Sequence, residues 1–245
     1  MPSSPSKRDR DSQIERLIAR PFAHRGLHGD GKVENSRAAF EAAIAAGHGI
    51  ELDVQVSADG QAMVFHDSTL ERLTEGHGSV AGLKADALSM IRLRDTAETI
   101  PTLVEVLQLI AGRAPLLIEL KSPGRRVAAL SGAVNRALIA YVGPVAVMSF
   151  NPRIGRWFAK HAPKLLRGLV VTEAGKPSRG RLRRLIALLW ARPDFLAYDI
   201  KDLPSRFAAA QRQRGLKLMT WTCRTDQHRS AAAEHADQII YETAG

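Results

Sequence analysis

Ile50-Glu51-Leu52-Asp53-Val54-Gln55-Val56, the turn Ser57-Ala58-Asp59-Gly60, and Gln61-Ala62-Met63-Val64-Phe65-His66 decide how this chain folds. An Asp-Gly pair between two strand-like runs is a strong hairpin signal. Residues 50–66 therefore read as one strand that extends into a hairpin and returns antiparallel. With Val56 facing Gln61, Glu51 lies opposite His66. Residues 51 and 53 share one face by the two-residue period of a strand. The hairpin thus brings a histidine back to two carboxylates.

Outward from this stretch, strand-like runs recur at Pro21–His24, Ile50–Val54, Leu116–Leu120, Val145–Ser149, Gly168–Val171, Phe195–Asp199, Leu216–Trp221 and Gln238–Tyr241. Helical patterns lie between most of them. Asn35 or Ser36 can cap a helix that ends before Gly47, and Thr102 with Glu105 forms a capping box ahead of Leu103, Val106, Leu107 and Ile110. Further helices fit Arg125–Tyr141, Pro152–His161, Arg179–Trp190, Pro204–Arg214 and Asp226–His235. Strands alternating with helices predict an α/β fold, a (β/α)8 TIM barrel, and 245 residues is an ordinary length for one. Residues 21–245 are read as a single catalytic barrel. Residues 68–100, polar and irregular, are read as a small insertion after the hairpin of the second strand, over the mouth. Residues 1–20 are read as a flexible tail with a short helix around Ser12–Ala19.

Several of the strands end in charge. His24-Arg25-Gly26, Glu51-Leu52-Asp53, His66-Asp67 and Glu119-Leu120-Lys121 each close an apolar or strand-forming run, and burying such groups without a use for them is costly. In a barrel these ends converge on the face that carries catalysis. Glu51, Asp53 and Glu119 offer three hard oxygen ligands, with no cysteine and no paired-histidine spacing beside them. Such a set favours Mg²⁺, Mn²⁺ or Ca²⁺ over zinc. His24 and His66 suit an acid–base pair, since histidine titrates near neutral pH. Arg25 can grip phosphate with two parallel hydrogen bonds, and Gly26 tolerates a positive φ. Lys121 faces the same mouth and can neutralise phosphate. Phe150 and Trp221, at later strand ends, can wall a pocket or pack in the core. His28, His48, His77, His161, His228 and His235 read as ordinary surface or hydrogen-bonded histidines.

Charge is uneven. Of the net +10, the stretch 151–192 holds eleven Lys and Arg against the single acid Glu173, leaving 24 basic and 24 acidic residues elsewhere. A basic half can steer anionic substrates or rest on anionic lipid, and 176–192 is a candidate for weak contact with an anionic membrane. Nucleic acid is not an expected partner, because aromatics are not interleaved with these cations. The longest apolar run, Leu185 to Ala191, is seven residues, too short to span a bilayer. The polar N-terminus is no secretory signal and Cys223 is the only cysteine, so a cytoplasmic protein without disulfides is expected.

The ordered set His24-Arg25-Gly26, Glu34-Asn35, Glu51-Leu52-Asp53, Asp59-Gly60, His66-Asp67, Pro101-Thr102-Leu103, Glu119-Leu120-Lys121, Ser149-Phe150 and Trp221-Thr222 resembles the glycerophosphodiester phosphodiesterase family. The resemblance runs from about Pro21 to the C-terminus. It implies a barrel with a small subdomain after His66, and hydrolysis of glycerophosphodiesters to sn-glycerol 3-phosphate and an alcohol. It further implies His24 and His66 as the catalytic pair, Glu51, Asp53 and Glu119 as ligands of Mg²⁺ or Ca²⁺, and Arg25 and Lys121 on the phosphate. The chain departs from the family pattern at Val33, at Cys223-Arg224 and at Tyr241-Glu242, where Glu242 can stand in for the usual acid. Two rival readings are a lysophospholipase D acting on lipid at a membrane surface, and a non-catalytic barrel that binds phosphorylated ligands.

Overall fold

The computed structural model describes residues 6–122, 124–174 and 180–243. Its frame is eight parallel strands: β1 (Phe22–Ala23), β2 (Gly49–Val56), β4 (Leu116–Leu120), β5 (Val145–Ser149), β6 (Leu166–Val171), β7 (Phe195–Asp199), β8 (Lys217–Cys223) and β9 (Gln238–Tyr241). Phe22 pairs with Gly49 on one side and with Ile240 on the other, which closes the sheet into a barrel. A ninth strand, β3 (Ala62–Val64), returns antiparallel on β2. Helices follow the strands: α2 (Arg37–Ala45), α4 (Leu103–Ile110), α5 (Ala128–Leu138), α6 (Pro152–His161), α7 (Gly180–Ala191), α8 (Arg206–Gln213) and α9 (Asp226–His235). This is the (β/α)8 barrel that the alternation predicts. Of the helix expected over Arg179–Trp190, Arg179 lies outside the described residues. No helix among the described residues is long and apolar enough to cross a membrane.

Two apolar layers hold the barrel. Outside, the helices α2, α4 and α5 bury Phe40, Leu103, Val106, Ile110 and Val134 against the outward strand positions Ile50, Leu52, Leu116 and Ile118. Inside, large side chains on one strand lie over glycines that are their register partners on the neighbouring strand. A β-carbon at Gly49 would come within 2.7 Å of the Phe22 ring, and one at Gly168 within 2.3 Å of the Phe195 ring. The N-terminal helix α1 (Lys7–Leu17) is displaced from the expected Ser12–Ala19. A Ser6–Asp9 capping box starts it early, and Ile14, Leu17 and Ile18 are buried with Phe22, Leu117 and Ala146 at the floor of the barrel.

The hairpin differs from the sequence expectation by one register position. Val56 pairs with Ala62, not Gln61, and Val54 pairs with Val64. The cause is the turn. Ser57 N–H donates to the Gln61 carbonyl at 2.9 Å, the Ser57 hydroxyl accepts from Gln61 N–H at 2.9 Å, and Gly60 takes φ +80°. The loop is therefore Ala58-Asp59-Gly60, a three-residue turn with glycine in the left-handed position. β3 ends at Val64 and Phe65 N–H donates to the Asp53 carbonyl at 3.0 Å, so Glu51 is not opposite His66. His66 is instead held by Gln55, whose side-chain amide donates to the His66 carbonyl at 2.9 Å and also to that of Asp67.

Residues 68–100 contain one turn of 3-10 helix (Val80–Gly82) and the short α3 (Ala85–Ser89) around a separate apolar cluster of Leu70, Val80, Leu88, Leu93 and Ile100. Met63 and Phe65 of the hairpin edge complete that cluster. Glu98 accepts from Arg37 N–H at 2.8 Å and Ala38 N–H at 3.0 Å, tying the segment to the start of α2.

The interlock of Gly168 with Phe195 makes a direct prediction. Gly168→Ala should cost about 1–3 kcal/mol of stability, and Gly168→Ala/Phe195→Leu should recover part of that in urea unfolding. An unchanged midpoint in the single variant contradicts the packing described.

Candidate active site

Parallel strands place their C-terminal ends on one rim, and the singled-out residues meet there. Asp53 and Glu119 are register partners on β2 and β4, and Glu51 lies two residues before Asp53 on the same face. His24 and Arg25 follow β1, Lys121 follows β4, Phe150 follows β5 and Trp221 lies in β8. A cavity of about 220 Å³ is lined by His24, Arg25, Glu51, His66, Glu119, Lys121, Phe150 and Trp221 together. Asp53 is not on its wall but fully buried beneath it. A second hollow of about 390 Å³ shares Glu119, Lys121 and Phe150 and widens the mouth toward Asn151 and Pro152. Phe150 and Trp221 meet edge to face, with centroids 5.6 Å apart. The Trp221 indole N–H donates to the Ala197 carbonyl at 3.0 Å, which fixes the ring as a wall.

One oxygen or more from each of Glu51, Asp53 and Glu119 falls within 4.8 Å of the others. All three residues are buried. Two cations answer them: Lys121 Nζ lies 3.0 Å from Asp53 and 2.7 Å from Glu119, and Arg25 Nε lies 3.4 Å from Asp53. Burial pushes Glu51 well above the usual carboxylate range, and the charges of Asp53 and Glu119 push the same way. Burial likewise lifts Glu119 to about 7, against the pull of Lys121. Burial acts on Asp53 too, but Lys121 and Arg25 override it and hold that acid at about 2. Glu51 Oε1 has no hydrogen-bond donor, and Asp53 Oδ1 and Glu119 Oε1 meet the Lys121 ammonium without a well-aligned hydrogen bond. Under-satisfied, buried, all-oxygen carboxylates fit a hard divalent cation.

The residues around this cluster extend what the sequence singles out. Each histidine leans on a carboxylate: His24 Nδ1 is 2.5 Å from Glu242 Oε1, and His66 Nδ1 is 2.6 Å from Asp67 Oδ1. Burial lowers the His24 pKa, while the Glu242 hydrogen bond resists that shift. Burial opposes ionisation of Glu242, yet its bonds to His24 and Arg224 hold it at about 2. Asn35 donates to Asp53 Oδ2 at 3.0 Å, so Ser36, not Asn35, caps α2. Arg25 is left-handed at φ +60°; its N–H donates to Glu51 at 3.0 Å and its guanidinium to Glu34 at 2.7 Å. Part of the fork expected on phosphate is therefore engaged with the protein. His28 lies 4.0 Å from Glu242 at the margin, whereas His48 and His161 bond to Tyr241 and the Trp157 carbonyl.

The sequence profile of the glycerophosphoryl diester phosphodiesterase family matches residues 24–243. The chain belongs to that family. It is 38% identical over 161 residues to a glycerophosphodiester phosphodiesterase of Caldanaerobacter subterraneus subsp. tengcongensis, covering 61% of this chain and 65% of that protein. It is 40% identical over 107 residues to one from Bacillus altitudinis, covering 41% of this chain and 43% of the relative. These matched stretches thus span less than two thirds of the curated relatives' own length. Among solved structures, a glycerophosphodiester phosphodiesterase from Agrobacterium tumefaciens superposes with a TM-score of 0.70 at 26% identity, over 91% of this chain and 95% of that one. An Oleispira antarctica phosphodiesterase, in complex with the product sn-glycerol-3-phosphate, superposes with a TM-score of 0.77 at 24% identity, over 90% and 91%.

Arg224 and Glu242 meet each other in space. Arg224 Nε is 2.6 Å from Glu242 Oε2, and the other oxygen of Glu242 holds His24. A proton competes with a cation for the carboxylate cluster, because Glu119 releases it only near pH 7. Affinity for a divalent cation should therefore rise as pH increases from 6 to 8, with protons released on binding. Titration calorimetry in buffers of different ionisation heat checks this; pH-independent affinity contradicts it.

Proposed function

We propose that this chain hydrolyses glycerophosphodiesters to sn-glycerol 3-phosphate and an alcohol, using Mg²⁺ or Ca²⁺ held by Glu51, Asp53 and Glu119. The observation that carries the reading is the pairing of two carboxylate-backed histidines with a buried, under-satisfied oxygen cluster on one cavity. Membership of the family supports it, and so does the sn-glycerol-3-phosphate bound by the Oleispira protein. A cation bound there would offset charge on the phosphate oxygens as it develops.

The side chains divide the remaining work. Lys121 and the free part of the Arg25 fork neutralise and orient the phosphate. Each histidine has Nδ1 committed to a carboxylate, which leaves Nε2 for the substrate. One histidine takes the proton of the attacking hydroxyl as its oxygen bonds to phosphorus. The other gives a proton to the departing alkoxide as the old P–O bond breaks. Each histidine ends in its partner's initial protonation state. A route through glycerol's neighbouring hydroxyl, with a cyclic phosphate then opened by water, uses this symmetry twice. Phe150 and Trp221 wall the leaving-group side. The buried, unpaired Cys223 suits a reducing compartment, and we place the enzyme in the cytoplasm.

His24→Ala and His66→Ala should each lower kcat/KM on glycerophosphocholine and glycerophosphoethanolamine by about 10²–10⁴-fold, with folding intact by circular dichroism. A chelator should abolish turnover, and added Mg²⁺ or Ca²⁺ should restore it. Turnover near the parent level in either variant, or full activity in chelator, removes the proposal.

A further inference from the structure

Barrel helices normally turn their apolar side inward, as α4 does in burying Leu103, Val106, Leu107 and Ile110. Helix α7 does not follow this rule on one side. Leu182, Ile186, Leu189 and Trp190 are 64%, 46%, 75% and 39% exposed. At 3.6 residues per turn these four lie within about 100° of the helix circumference, one continuous outward stripe. Scattered exposed apolar residues need no explanation, but a contiguous stripe bordered by charge marks a contact surface.

The border is cationic. Arg153 and Arg156 of the neighbouring α6 place their guanidinium carbons 5.2 and 5.3 Å from the Trp190 ring centre. Arg181 and Arg183 flank the stripe on α7 itself, and Arg192 follows it. Among the described residues none of these five side chains has a carboxylate within ion-pair distance, whereas Arg167 and Arg184 of the same region are paired with Asp194 and Glu173. The helices approach closely enough that a β-carbon at Gly155 would meet the Ala191 carbonyl at 2.8 Å, so stripe and border form one surface.

We propose that this α6–α7 face docks on an anionic lipid bilayer. Leucine, isoleucine and tryptophan enter the boundary between head groups and acyl chains, while the arginines meet lipid phosphate and carry their stems alongside. A second copy of this chain is the poorer occupant, because a two-fold contact sets the same arginines against each other. Nucleic acid leaves the apolar stripe without a partner. The inference stands apart from the catalytic reading, since none of these residues lines the cavity around His24 and His66.

The test is co-sedimentation of the full chain with vesicles of equal parts phosphatidylglycerol and phosphatidylcholine, against phosphatidylcholine alone. The parent should sediment with the mixed vesicles, and raising salt should weaken that binding. Leu182→Gln/Leu189→Gln should reduce partitioning roughly tenfold or more, and Arg181→Glu/Arg183→Glu by at least as much. Both should leave hydrolysis of soluble glycerophosphocholine unchanged. Three results would overturn the proposal: no binding, equal binding to both vesicles, or variants that bind like the parent. So would a concentration-dependent dimer in light scattering that Leu182→Gln/Leu189→Gln abolishes, because the face would then belong to a second copy.

Discussion

Asp53 stays ionised in a fully buried position only because Lys121, at 3.0 Å, and Arg25, at 3.4 Å, stand against it. Everything at the rim is arranged around that arrangement of charges. Asn35 turns away from a helix-capping role to hydrogen-bond the same carboxylate. Lys121 also reaches Glu119, and the Arg25 main chain reaches Glu51, so two cations serve three acids. Three acids on two cations can share the site only with protons retained, Glu51 well above the usual carboxylate range and Glu119 up to about 7. Such a cluster gains little for the fold, since replacing buried ions by apolar groups is often neutral or stabilising. The arrangement makes sense as a place where a cation takes over from those protons.

The same principle of backing one ionisable group with another governs the histidines. Glu242 is itself held by Arg224, and Asp67 by Arg72, so each imidazole sits at the inner end of a chain of alternating charges. Arg72 also grips Glu34, which in turn holds Arg25. Arg72, in residues 68–100, thereby links the carboxylate behind His66 to the one that holds Arg25.

Sequence reading succeeds where local chemistry dictates the answer. The eight parallel strands, the capping box at Thr102 and the convergence of His24, Glu51, Glu119 and Lys121 follow from alternation, capping chemistry and strand-end position. The hairpin register does not, because Asp59-Gly60 suits both a four-residue and a three-residue loop. Only the Ser57 hydroxyl, bonded to both Asp59 and Gln61, chooses between them. Glu242 is a different case: it lies 218 residues from His24, and only closure of β1 on β9 makes them neighbours. Asn35 reads as a helix cap because its left-handed φ of +57°, which points it into the rim, leaves no trace in spacing.

On this account Glu51, Asp53 and Glu119 are gathered for a cation and not for the fold. Thermal unfolding of Glu51→Gln beside the parent, in chelator and then in Mg²⁺, tests it most directly. In chelator the neutral isostere should be at least as stable as the parent, since burial already holds Glu51 toward its protonated form and the amide oxygen can still accept from Arg25 N–H. Mg²⁺ should raise the parent's Tm and leave that of Glu51→Gln nearly unmoved. A variant that melts well below the parent in chelator yet keeps the full Mg²⁺ response would contradict the account.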